Sequence, residues 1–470
     1  MPNLALALAL ALAAPAGPTP LPSIPYESFR LPNGLNVILS EDHTAPIVGV
    51  EVHYDVGSKD EKPGRTGFAH LFEHLMFEGS LHLAKGEADR LLEDVGGTSN
   101  GATSEDQTVY WEQVPSTALE LALFIESDRM GFLLPTLDEA KLDNQREVVL
   151  NERRQSYEMQ PYGEAYLTLV DRLWDPEFPY HWLAIGAAED VRAATLDEVR
   201  EFFRRWYGPN NASLAIAGDF DPRQARLLVE KWFGGIPSSP AGGGVARPRH
   251  ADPKPAPLEG EKRVTLEDAV ELPRLYLAWP TPKEYAPGDA ALDLVASILA
   301  DGKSARLVER LVMRERVAQS VYANQSSQRL ASMFVITATP KPDQGLERLL
   351  AEIDEEIARL VREPPSPAEL ERAVTKAEAA AIFGLEPVGG FGGRAATLNH
   401  YYFETGDPGY FGRDLGRYRA LGPEDVRAAA AAYLKPGGRV VLSVVPKSKP
   451  AAPAREFSEG ESAGGAGGRP

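Results

Sequence analysis

Two periodicities run along the chain. Apolar residues alternate with polar ones over Leu35 to Ser40 and Val48 to Val56, and that spacing predicts strands, because successive side chains of a strand face opposite sides. Gln107-Thr108-Val109-Tyr110-Trp111 predicts another strand, just after the polar stretch Asn100 to Thr103. Longer stretches at helical spacing predict helices over 116 to 132 and 137 to 159. The strand runs alternate only in part, and no glycine-rich phosphate loop follows them. An α+β fold, with sandwich-like halves each built on a mainly antiparallel sheet packed with helices, therefore fits better than a doubly wound parallel sheet.

Candidate chemistry sits at His70-Leu71-Phe72-Glu73-His74. On a helix, residues i and i+4 share a face, so both imidazoles can point at one metal ion, with Glu73 beside them within reach of a water on that metal. This is the inverted order of a zinc hydrolase motif. Phe68, Leu71, Leu75 and Phe77 mark the helix as largely buried, and burying two imidazoles with a carboxylate is costly unless they are paired or hold a metal. Catalytic zinc takes three protein ligands. The charged helix that follows offers Glu139, Glu147, Glu152 and Glu158. Glu152 shares a stripe with Val148 and Val149 and should face inward, whereas Glu147 lies about 140° round the helix.

At these residues the chain resembles the pitrilysin family of zinc peptidases, which includes the insulin-degrading enzymes and the mitochondrial processing peptidase. The second matching segment is Asn144-Gln145-Arg146-Glu147-Val148-Val149-Leu150-Asn151-Glu152-Arg153-Arg154. Further matches are Leu31-Pro32-Asn33-Gly34-Leu35, Gly96-Gly97-Thr98-Ser99-Asn100-Gly101, and Tyr207-Gly208-Pro209-Asn210-Asn211-Ala212 before Gly218-Asp219. The resemblance implies one Zn2+ per chain held by His70, His74 and Glu152, with Glu73 as general base. It implies that Asn100, Gly101, Ala102 and Thr103 form an edge strand that pairs with the backbone of a peptide substrate. Position 145, often a Glu that supports a ligand from behind, is Gln145 here; an amide can still orient a ligand but adds no negative charge.

The resemblance also implies a partner. Active relatives carry an Arg and a Tyr in the half without metal, in a segment like Arg-Glu-x-x-Gly-Leu-Ala-Tyr-Ser-Val, and the corresponding stretch here is Arg314-Glu315-Arg316-Val317-Ala318-Gln319-Ser320-Val321-Tyr322. Gln319 takes the tyrosine's place. Tyr322 stands three residues on and is expected on the opposite face of a strand, the alternative being that Gln319, or a register shift that brings Tyr322 inward, serves within one chain. Arg314 and Gln319 are thus the candidate cavity residues, and a homologous subunit without the motif is expected to supply Arg and Tyr in a heterodimer, a homodimer being the alternative.

An internal repeat agrees with two homologous halves. Asp197-Glu198-Val199-Arg200, Tyr207 and Pro209 are echoed by Glu424-Asp425-Val426-Arg427, Tyr433 and Pro436. Matching Phe77-Glu78-Gly79 to Ala300-Asp301-Gly302 puts Asp293, Ala296 and Ser297 opposite His70, Glu73 and His74, so the second half should hold no metal. The expected divisions are a leader over 1–24, a metal-bearing domain over 25–237, a Pro/Gly/Ala-rich linker over 238–261, a homologous domain over 262–447 and a disordered tail over 448–470. Leu4 to Ala14 followed by Ala14-Pro15-Ala16 resembles a secretory signal peptide too short to span a membrane, although no Lys or Arg precedes it. The periplasm or the outside of the cell is the expected location, the cytoplasm the alternative.

The formal net charge of −19 disfavours nucleic acid and anionic membrane surfaces as partners. The absence of cysteine excludes disulfides and thiol chemistry. Gly389-Gly390-Phe391-Gly392-Gly393 reads as a flexible connection, with a mobile loop near the cavity as the alternative, and His181 and His400 read as structural histidines. The sequence therefore predicts a zinc endopeptidase acting on peptides or unfolded segments. Its rivals are a zinc hydrolase of a non-peptide amide and a catalytically weak peptide-binding or assembly subunit of the same family.

Overall fold

The computed structural model describes residues 21–239 and 253–447. The leader up to residue 20, most of the expected linker and the tail from 448 lie outside the described residues. Among the described residues eleven strands form two sheets. The first contains β1 (Glu27–Arg30), β2 (Asn36–Glu41), β3 (Ile47–Tyr54), β4 (Thr98–Thr103), β5 (Thr108–Pro115) and β6 (Ala212–Gly218), in the order β1-β2-β6-β3-β5-β4. The second contains β7 (Gly260–Asp268), β8 (Arg274–Thr281), β9 (Ala318–Ser326), β10 (Ser332–Pro340) and β11 (Gly438–Pro446), in the order β7-β11-β8-β10-β9. Apart from β1, the second order repeats the first strand for strand. Each sheet has one parallel pair, β2 with β6 and β7 with β11, and is otherwise antiparallel. The fold is α+β, as the alternation predicted, and β7 opens at Gly260, inside the stretch read as linker.

The central strands of the second sheet, β8, β10 and β11, each feed two cores. Along β8, Leu275, Leu277 and Trp279 pack under the second half's own helices, while Tyr276 and Ala278 meet the helix Ala165–Leu173, which comes from the first half. The first sheet repeats the pattern. Leu214 and Ile216 of β6 face their own helices, and Ala215 and Ala217 face the helix Arg394–Thr405 from the second half. A period of two, with both faces apolar, is what a sheet covered on both sides requires.

The motif falls on the helix Phe68–Leu75, whose buried face is Phe68, Ala69, Leu71, Phe72 and Leu75. At its start stands Gly67, which has no side chain to cap the first turn. The cap comes from outside the helix. The Gly67 and Ala69 N–H groups donate to the two carboxylate oxygens of Glu61 at 3.0 and 2.8 Å, and the Trp182 indole N–H donates to Glu61 Oε2 at 3.0 Å. The two oxygens satisfy donors that the helix itself cannot, although burial pushes the Glu61 carboxyl up to about 8 against the pull of those same donors. Removing it should loosen the helix that carries both imidazoles. Glu61→Ala is expected to lower stability by about 1–3 kcal/mol and to weaken zinc retention, with Glu61→Gln intermediate. Urea unfolding and a competitive chelator titration would measure the two effects, and a variant matching the wild type in both would contradict this role.

Candidate functional site

The second long helix runs over Glu139–Arg153, capped by the Asp138 carboxylate, and widens into a π-helical turn at Arg154–Glu158. Val149 is buried against the core, Val148 stays 39% exposed, and Glu152 lies beside them, turned toward the motif helix. His70 Nε2 and His74 Nε2 are 3.3 Å apart, and Glu152 Oε2 is 3.2 Å from His74 Nε2 and 3.7 Å from His70 Nε2. Three ligand atoms held about 2.0–2.1 Å from one ion at tetrahedral angles stand about 3.4 Å from one another. The triangle fits that demand. Glu139, Glu147 and Glu158 are not part of this cluster.

Burial holds the His70 imidazole well below its usual titration range, against the pull of the Glu152 carboxylate. It is therefore neutral near pH 7, the form that ligates. Its Nδ1 is buried with no hydrogen-bond partner. Two imidazole nitrogens and a carboxylate oxygen converging on one point suit a divalent cation of borderline softness, and the donor set fits zinc. Glu152 keeps 40% of its side-chain surface exposed against 12% for His70, so the cluster opens to solvent on the Glu152 side.

Glu73 is not in the triangle. Its carboxyl, raised by burial although the Thr103 hydroxyl opposes the shift, accepts a 2.7 Å hydrogen bond from Thr103 Oγ1. Thr103 belongs to β4, the last strand of the sheet, which pairs with β5 on one side only. Of the four residues expected to meet substrate, Gly101 and Thr103 turn their side-chain positions toward the motif helix, while Asn100 and Ala102 alternate to the other face. Gly101 is there for room: a Cβ would stand 3.2 Å from Phe77 and 3.3 Å from Glu73 Cγ. Glu73 is thereby laid along a strand edge that no further strand pairs among the described residues, and on which the Gly101 N–H donates to Asn100 Oδ1 at 2.8 Å.

Gln145 is buried, hydrogen-bonds His74 and donates through Nε2 to Glu78. Sequence reasoning missed Glu78. It is buried, also accepts from Asn144 Nδ2 at 3.1 Å and pairs with Lys85 Nζ at 2.5 Å. The amide at 145 thus relays to a carboxylate that returns the missing negative charge. Its position four residues after His74 was the available signal.

In the second half, Asp293, Ala296 and Ser297 lie on the helix Asp289–Ala300, and Asp293 accepts from the Tyr418 hydroxyl at 2.8 Å. Among the described residues no metal-binding group includes them. Arg314 and Gln319 are exposed, and neither bonds to the His70 cluster. The expectation about Tyr322 is corrected. The β9–β10 register shifts at Thr339/Pro340, which oppose Ser320 and Ala318 and leave Gln319 as an extra residue. Because of this bulge, Ala318 and Val321 both face the helices, and Gln319 and Tyr322 are both exposed. Tyr322, 65% exposed, thus shares the helix-free side with Gln319 instead of opposing it.

Comparison with known proteins bears on this geometry. Residues 36–170 match the family model described as insulinase (peptidase family M16), and residues 193–377 match the peptidase M16 inactive domain. The chain is 30% identical over 363 residues to the zinc protease PqqE of Helicobacter pylori, covering 77% of this chain and 80% of that protein. It is 25% identical over 325 residues to a probable mitochondrial-processing peptidase subunit beta of Arabidopsis thaliana, covering 67% and 59%. The crystal structure of a protease from Helicobacter pylori superposes with a TM-score of 0.81 at 27% identity, over 90% of this chain and all of that one. The family model named for the enzyme covers the histidine cluster and Glu152, the one named inactive runs from the end of the first half into the half without the cluster, and the chain belongs to the insulinase family of metallopeptidases, M16.

Proposed function

We propose that this chain is a zinc-dependent endopeptidase that cleaves peptides or unfolded polypeptide segments, with one Zn2+ held by His70, His74 and Glu152. The observation that carries the reading is the junction of two features: a three-ligand cluster and, one hydrogen bond away through Thr103 and Glu73, a strand edge open for pairing. Zinc, when bound, lowers the pKa of water to about 7 and polarises a carbonyl oxygen. Glu73 takes the proton of the attacking water and returns it to the leaving amine, a task favoured by a carboxyl whose affinity for protons burial has raised. The edge of β4 aligns an extended backbone by main-chain hydrogen bonds, and such pairing reads little sequence. A non-peptide amide would not use that edge. The leader-like N-terminus supports action in the periplasm or outside the cell.

The chain is further proposed to work in a two-chain assembly in which a homologous subunit lacking the motif contributes the Arg and Tyr. Relatives named as a subunit of a processing peptidase support this. So does Gln319 in the tyrosine's place. Tyr322, on the same side as Gln319, is the residue that would serve if a homodimer or the single chain sufficed.

Metal binding and turnover should separate. Glu73→Gln is expected to keep about one equivalent of zinc while turnover falls at least about a hundredfold, whereas Glu152→Ala loses both. Elemental analysis with a fluorogenic peptide assay distinguishes these. Zinc lost from the Glu73 variant, or tightly kept by the Glu152 variant, would refute the assignment.

Activity should rise when a homologous neighbour-encoded chain without the motif is added. Mutating that partner's Tyr should abolish the gain. Full activity from the isolated chain, indifferent to the partner but lost in Tyr322→Phe, would shift the oxyanion role to this chain.

A further inference from the structure

The open edge of β4 has two faces, and only the one toward the motif helix is used by the chemistry. On the other face, the helix Arg394–Thr405 covers β2, β6 and β3, with His53 stacked on Phe403 at 4.1 Å between ring centroids. The cover ends at the loop Gly389 to Gly393. Gly389 lies directly on the backbone of Gly49 in β3, where a Cβ on Gly49 would come within 2.5 Å of the Gly389 Cα. Beyond it, Gly390 and Gly392 take left-handed backbone angles, φ 81° and 76°, conformations in which other residues are strained. Between them Phe391 is 55% exposed and meets Trp111 edge to face at 5.5 Å between ring centroids. Trp111 is the register partner of Asn100 in β4. The loop read from sequence as a plain connection is thus a built mount for an aromatic ring, placed where the cover of the sheet stops.

We propose that Phe391 and Trp111 form an apolar subsite that selects peptides with an aromatic or long aliphatic side chain. The inference rests on the proposed pairing of peptide with β4. A peptide added as the next strand alternates its side chains, one set toward Glu73 and the other toward the face of Asn100 and Ala102. That peptide lies about 10 Å from β5 across β4. Asn100 and Ala102 are too small to fill the gap. A bulky apolar side chain reaching over them meets Phe391, and the contact removes from water both that side chain and a ring that is otherwise half exposed. Backbone pairing then supplies alignment, and this contact supplies preference.

The test uses the full zinc-loaded chain, alone or with the homologous chain, whichever cleaves. Quenched peptides identical except at one position, scanned in turn with Phe, Leu, Ala and Asp, are cleaved by the wild type, Phe391→Ala and Phe391→Lys. The expected result is one position at which Phe and Leu are preferred and at which Phe391→Ala lowers kcat/KM for the Phe peptide about tenfold, leaving the Ala peptide within about twofold. Phe391→Lys should move the preference at that position toward Asp. The same ranking is expected for peptide affinity, measured by fluorescence anisotropy on Glu73→Gln with and without Phe391→Ala. A preference profile unchanged in both variants, or an equal loss on every peptide, overturns the subsite while leaving the peptidase reading intact. A wild type that cleaves no peptide overturns both.

Discussion

A β-sheet in a globular protein has two faces to keep from water, and here the helices of each half cover only one. The other is covered by a helix lent across the molecule: Ala165, Leu169, Val170 and Leu173 lie on the second sheet, and Ala395, Leu398 and Tyr401 on the first. This exchange decides the rest of the architecture. It ties two repeated units into one body and sets how far the cover of the first sheet extends. The cover stops short of β4, which leaves an edge strand open beside the motif helix. An unpaired edge is ordinarily a liability, and here it lies next to the cluster of His70, His74 and Glu152, with Glu73 bonded to the edge strand itself.

The edge is open but not loose, because its turn is anchored. The β4–β5 turn meets the equivalent β9–β10 turn of the other half. The Arg329 N–H donates to Asp106 Oδ2 at 3.1 Å, Gln328 Nε2 to Glu105 Oε2 at 3.0 Å, and the Tyr180 hydroxyl to Asp106 Oδ1 at 2.7 Å. The Arg329 guanidinium is itself held by Asp55 and Glu404. A buried cation with two carboxylates keeps its geometry only while all three are in place. The repeat thus does more than fill space: one hairpin tip fixes the edge strand of the other half. The His400, Glu284 and Glu404 cluster is absorbed in the same frame, with His400 Nε2 2.9 Å from Glu284 Oε1 and Glu404 committed to Arg329.

Around the cluster of His70, His74 and Glu152, polar groups are buried in pairs that answer one another. Glu61 closes the start of the motif helix, Thr103 holds Glu73, and Gln145 passes from His74 to Glu78, whose charge Lys85 meets. Each of these groups would be costly alone in a core made of Leu71, Phe72, Tyr110 and Val149. Paired, they fix the orientation of the imidazoles, which is what makes a ligand triangle of a chosen size.

Residues one helical turn or one strand step apart were legible from the sequence. His70, Glu73 and His74 share a helix face because of backbone geometry alone, Glu152 follows from its spacing to the buried Val149 although Val148 of the same expected stripe is exposed, and alternation marked the strands and hence the α+β class. The repeat of Asp197 and Tyr207 in Glu424 and Tyr433 announced the second sheet. Contacts that join distant segments were decided only by the tertiary structure. Nothing local tells Glu61 that it caps a helix, Glu78 that it lies behind Gln145, or Phe391 that it reaches Trp111, because those pairs are made by sheet register and by a covering helix from the other half. The bulge at Gln319 is the clearest case. Strict alternation puts Tyr322 on the far face, and one extra residue, admitted by the pairing with Thr339 and Pro340, turns it back.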